Sequence, residues 1–208
     1  MIFGRASRLL TCQQLFRRVL LALGIGLVLN LVAWDVAFLF LPEGLLRGKM
    51  LGWNLLPVET SGLLLTYAQI LLFNLFLTGG LVLIANLFRV GDLPRGYLYA
   101  WGAWALYGLL LGTDSLIMEQ GAKQAPSLMG LVRSSGFYEI SAYTIMAAAT
   151  VNLFLFRQPS WLNWRVRKVR ERQELALNRR EMVGIVVAVF SLLLVNLYAA
   201  LVMAGWLW

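Results

Sequence analysis

The sequence predicts an all-α, polytopic helical membrane protein with five transmembrane helices, its N-terminus inside and its C-terminus outside. Three observations predict it. The 208 residues are 60% hydrophobic and only 13% charged, with a mean hydropathy of +0.74; a soluble domain is about 45–50% apolar and about 25% charged. Several apolar runs exceed the roughly 20 residues needed to cross a bilayer core. They are continuous rather than alternating, which excludes a β-barrel. The basic residues, finally, are unevenly shared among the segments between the runs.

Residues 1–17 read as a cytoplasmic amphipathic lead-in, with Leu9, Leu10 and Phe16 among arginines. Residues 18–208 read as one five-helix transmembrane domain. Its spans are 18–41, 63–88, 96–118, 137–156 and 182–206. The first follows a basic stretch as a signal peptide would, but it is span-length and lacks a small-residue cleavage site, so it reads as an uncleaved helix. The fifth is the clearest apolar run. The third is interrupted at its far end by Asp114. In this threading fourteen of the 18 Lys and Arg fall on one side and Arg47, Lys49, Lys123 and Arg133 on the other. The positive-inside rule then orients the chain.

The segment 157–181 is the largest polar stretch. Pro159 ends the preceding helix, and Trp161 and Trp164 follow as interfacial anchors. Leu162, Val166, Val169 and Ala176 recur at near-helical spacing. This predicts an amphipathic helix on the membrane or on a partner, and a solvated basic connector is the alternative. Arg165, Arg167, Lys168, Arg170 and Arg172, with the two tryptophans, are the candidate contacts to anionic lipid head groups or a partner. A short basic run without a recognition motif does not call for nucleic acid. In the loop after span one, Leu45, Leu46, Met50, Leu51, Trp53, Leu55 and Leu56 allow a re-entrant or a packed arrangement.

The sequence contains one cysteine, Cys12, and no histidine. An internal disulfide, a His/Cys zinc site, a Ser-His-Asp triad and histidine-ligated haem are excluded. No catalytic residue, metal or cofactor is called for. The informative residues are polar ones inside apolar runs, which are costly there and face protein or water. Asp35, Asp114 and Glu139 all fall toward the outer side. Glu139 reads in two ways. It complements the positive mouth of span four, with Ser134 or Ser135 as cap and Arg133 as ion partner. Alternatively it belongs to a polar site with Tyr143 and Thr150, completed by Asn74 or Asn86 of span two. The amides Gln69, Asn74, Asn86 and Asn196 read by default as interhelical hydrogen-bonding groups, and Gly108 and Gly112 as a GxxxG close-approach motif.

The stretch "SGFYEISAY" (135–143) resembles the "HGxxE" segment of the stage II sporulation protein M family, with Gly136, Glu139 and Ala142 matching. The upstream stretch "LLFNLFLTGGLVLIANLFRVGDLPRGYLYAWGAWALYGLLLGTDS" is similar to that family's middle region, so the resemblance covers about residues 65–156. The family's histidine is Ser135 here; acid–base or ligand work by that position cannot be repeated, whereas a capping role can. The resemblance implies a small polytopic component of a cell-envelope machine, in a bacterial cytoplasmic membrane or an internal membrane such as a thylakoid. It supports a non-enzymatic scaffold or assembly subunit that contacts other membrane proteins or itself. A permease-like or channel-forming component using the outer carboxylates and the amides is the second reading. An intramembrane enzyme is the third.

Overall fold

The computed structural model describes residues 9–47, 62–116, 123–160, 163 and 165–206. Helix α1 is Leu15–Phe40. An uninterrupted apolar run without proline lets it continue for 26 residues, about 39 Å at 1.5 Å per residue. The next helical stretch is Leu63–Asn86. It consists of α2, Leu63–Leu72, a π-helical segment, Phe73–Gly79, and α3, Gly80–Asn86. Helix α4 is Arg95–Gly112, α5 Leu128–Arg133, α6 Ser135–Ala149 and α7 Arg179–Met203. Three of these stretches, Leu15–Phe40, Leu63–Asn86 and Arg179–Met203, are long and apolar enough to cross a membrane.

The three long stretches each bury one stripe and leave the rest apolar and exposed. In α1 the buried stripe is Arg18, Ala22, Gly26, Asn30, Trp34 and Ala37. In α7 it is Glu181, Gly184, Ala188, Leu192, Asn196 and Ala200. Steps of three and four residues keep each stripe on one face. Leu20, Val28, Val32, Leu39, Val186, Phe190 and Leu194 are among the large side chains left outside. Helices α4 and α6 are shorter and bury half or more of their residues, so they fill the interior of the bundle.

Glycine sets how closely α1 and α4 approach. A Cβ on Gly108 would lie 2.3 Å from the Asn30 carbonyl oxygen, and one on Gly112 2.5 Å from that of Trp34. The GxxxG pair works here as read from the sequence, allowing backbone-to-backbone contact.

Both inner helices end earlier than their apolar runs. The Thr113 hydroxyl donates to the Leu109 carbonyl at 2.8 Å, and Asp114 follows in the left-handed region with φ 47°. The Thr150 hydroxyl donates to Met146 O at 2.7 Å, and a 3-10 turn, Val151–Leu153, follows. A threonine bonded to its own preceding turn competes with helix continuation. The expected spans 96–118 and 137–156 are corrected accordingly.

The described residues between 157 and 178 form no amphipathic helix, contrary to expectation. Strands β1, Phe88–Val90, β2, Leu93–Pro94, β3, Phe156–Gln158, and β4, Arg167–Lys168, form a small sheet in the order β2-β1-β3-β4. β1 and β3 are parallel, Phe88 opposite Phe156, and the outer pairs are antiparallel. A 3-10 turn, Arg172–Glu174, leads on toward α7. On a helix Arg165, Lys168 and Arg172 would stack like charges at three- and four-residue spacing, which is destabilising. The "RVRKV" alternation and the β-branched Val166 and Val169 suit an extended chain better. Trp161, Leu162 and Trp164 lie outside the described residues, as do 1–8 of the lead-in and 48–61 of the loop after α1.

The helix ends sort into two sets. At the arginine-rich end the Tyr97 hydroxyl, early in α4, donates to Leu10 O at 2.9 Å, and Leu155 N, beyond α6, to Leu87 O, beyond α3, at 2.8 Å. Arg18 of α1 pairs with Glu181 of α7. At the opposite end Lys123 donates to Phe38 O at 2.8 Å and also to Leu41 O, a cation at the negative end of α1. There, too, Gly44 N donates to Thr113 O at 2.6 Å.

Candidate functional site

Two buried polar clusters stand out, one toward each end of the interior. The first gathers on Glu139. Helix α6 begins at Ser135 with Ser134 as its N-cap residue, but no side chain caps it and its first turn holds no acidic residue. Ser134 Oγ turns back to Leu131 O at 2.5 Å instead. Glu139 therefore sits beyond the capping turn, and no ion pair among the described residues links it to the exposed Arg133. The capping account of this carboxylate is corrected.

What Glu139 meets is Asn74. The Asn74 side chain lies beside its carboxylate, without a hydrogen bond of full geometry between them. Asn74 Nδ2 donates instead to Asn196 Oδ1 of α7 at 2.7 Å. Asn74 stands in the π-helical segment, whose wider turn re-aims side chains and is frequent at functional positions. Tyr143, one turn along α6, adjoins Glu139 and the Thr78 side chain. The contact to Thr78 falls short of hydrogen-bond geometry, so the buried Tyr143 hydroxyl has no partner among the described residues, and neither has Asn196 Nδ2. From α4, Tyr107 reaches both Ser134 and Glu139. Gly136 makes that possible: a Cβ there would lie 2.5 Å from the Tyr107 ring. Glu139, Tyr143 and Asn74 thus come together as the sequence reading allowed. Thr150 does not join them. Ser135 is half-buried at the start of α6 with no described hydrogen bond.

Thr150 belongs to the second cluster, a clamp built on Asn86. Its Nδ2 donates to Ala147 O at 2.8 Å and to Thr150 Oγ1 at 2.7 Å, and its Oδ1 accepts from Gly96 N at 2.9 Å. The amide uses both of its donors and one acceptor position to tie α3, α4 and α6.

The three carboxylates Asp35, Asp114 and Glu139 do not converge. Asp114 lies at the end of α4, paired with Arg47 at 3.8 Å, while Arg47 donates to its carbonyl at 3.1 Å. Asp35 is exposed on α1.

The arginine-rich end holds residues the sequence reading missed. Arg18 is fully buried against Glu181, N–O 2.8 Å. Glu181 Oε1 also accepts from Asn152 Nδ2 at 2.6 Å, and its Oε2 accepts from Asn178 N in a capping box at the start of α7. Positions 18 and 181 are 163 residues apart, so only the pairing itself reveals them. Arg89 donates to Val151 O at 2.9 Å and stacks on Phe154, which Arg170 also overlies. Burial, with the Arg170 charge adding to it, pushes the Arg89 pKa down to about 10. Arg157 pairs with Asp92 at 2.7 Å and Lys168 with Glu171 at 2.6 Å. Arg165 and Arg167 are exposed. Arg170 is thus a packing residue, while Arg165, Arg167 and Lys168 remain available as surface contacts. Of Arg172 the backbone alone is described, within its 3-10 turn.

No family model, curated protein or solved structure matches this chain.

Proposed function

We propose that the chain is an integral membrane subunit that crosses the bilayer five times and holds a membrane or cell-envelope complex together, with its arginine-rich end inside. The observation that carries this reading is the construction of that end. A disordered basic connector would have no packed arginines and no sheet. Here residues 68 positions apart pair as β1 and β3, Phe88 with Phe156, anchored by Arg157–Asp92 and by Arg89 on Phe154. Arg165, Arg167 and Lys168 project from a folded platform beside the bundle. Such a platform suits anionic head groups or an acidic partner. Much of the interior polarity is spent on clamps such as Asn86, which favours a structural role over catalysis.

The test is purification in mild detergent with mass spectrometry of what stays bound. A stoichiometric partner is expected with the wild type, and its loss with Arg165→Ser/Arg167→Ser at unchanged thermal stability. Isolation without a partner, or a partner retained by the variant, contradicts the reading. A transport component is the second reading, favoured by the grouping of Glu139 with the bonded amides of Asn74 and Asn196, which capping does not explain. The similarity of residues 135–143 to the stage II sporulation protein M family supports the assembly role and a bacterial or thylakoid-type membrane.

A further inference from the structure

Glu139 carries a charge problem that its surroundings do not solve. The side chains that act on it are Asn74, Tyr107 and Tyr143, none of them cationic. Thr78 and Tyr99 lie one step further out, beside Tyr143. From α7 the facing group is the amide of Asn196, through Asn74. The one charged residue of α5 is the exposed Arg133, with no described ion pair to the carboxylate. An isolated carboxylate among apolar helices is strongly disfavoured. Either a cation enters or the group carries a proton. Among the described residues no three His, Cys, Asp or Glu side chains come together, and one carboxylate with two mutually bonded amides offers too few oxygens to strip a metal cation of its water.

Tyr143 Oη, beside Glu139, and Asn196 Nδ2, on the amide bonded to Asn74, are buried without partners among the described residues. Buried polar atoms are normally satisfied, and exceptions mark water or function. Tyr107 and Ser134 extend the row of polar groups to the mouth of α6, and Glu139 itself is only partly buried.

We propose that Glu139 is a proton-exchange site, hydrated through Tyr143 and Asn196 and served from the mouth of α6. A hydronium ion gives its proton to the carboxylate and leaves as water; release reverses the step. This goes beyond the assembly reading and stands whether or not a partner is captured.

The probe is dicyclohexylcarbodiimide with the detergent-solubilised full chain, followed by peptide mass spectrometry. A protonated carboxyl adds across the carbodiimide C=N, and the acyl group then shifts from oxygen to nitrogen, giving a stable N-acylurea with no atom lost. Modification of Glu139 is expected to fall at least about fivefold from about pH 6 to about pH 9, as for one titrating carboxyl. Tyr143→Phe and Asn196→Leu are expected to move the midpoint of that profile, and Glu139→Gln to abolish the adduct; peptide mapping separates it from Asp35. An unmodified Glu139, a profile flat with pH, or protection by sodium at constant pH would overturn the proposal. The wild-type profile decides the matter even if a variant fails to fold.

Discussion

Asn86 shows how much one side chain carries here. Its amide closes three hydrogen bonds among α3, α4 and α6. Asn86→Leu leaves several buried groups unsatisfied at about 1–3 kcal/mol each. A marked drop in melting temperature in detergent is expected; an unchanged one would mean that the clamp is not formed. Glu139 calls for a different comparison. Glu139→Gln keeps a polar side chain of the same size beside Asn74 and should preserve yield, whereas Glu139→Ala should lower it. Equal yields would remove the structural part of its role. Arg18 and Glu181 form a buried pair, and breaking one partner of such a pair costs about 3–5 kcal/mol. Arg18→Met should therefore destabilise strongly, and Arg18→Met/Glu181→Gln should recover much of the loss in a denaturant titration. That Asn74, Asn86 and Glu139 matter was legible in the sequence, because polar residues in apolar runs stand out. Which of them meet was not. Asn74 and Asn196 are 122 residues apart and lie on helices whose rotation is set by packing.

At the scale of elements, the α1–α4 contact is the most exacting. Gly108 and Gly112 face carbonyl oxygens of α1 at distances no Cβ can accept. Gly108→Ala should cost about 1–3 kcal/mol through overpacking, read as lower thermal stability than the same change at Gly102, where a Cβ meets open space. Parity between the two would contradict the packing. The long helices were legible because their apolar runs are unbroken. The ends of α4 and α6 were not, since Thr113 and Thr150 look like ordinary residues of an apolar run until their hydroxyls are seen bonded to the preceding turn. The sheet escaped for a physical reason as well: strands of two or three residues carry almost no periodicity, and β1 pairs with a segment far along the chain.

At the scale of the whole molecule, three long helical stretches with exposed apolar flanks surround two shorter buried helices. Hydrogen bonds join residues 10, 87, 97 and 155 at one end, and 38, 41, 44, 113 and 123 at the other. The proposed five-crossing course would run alternately between these two ends, as the distribution of arginines calls for. The most direct measurement is the reactivity of single cysteines in sealed membrane vesicles of known orientation, on a Cys12→Ser background. Arg167→Cys, in β4, and Gly205→Cys, beyond α7, lie at opposite ends of the last helix. A membrane-impermeant thiol reagent applied outside should label Gly205→Cys at once and Arg167→Cys only after permeabilisation. Labelling of both from the same side, or in the reverse order, would contradict the five-crossing account.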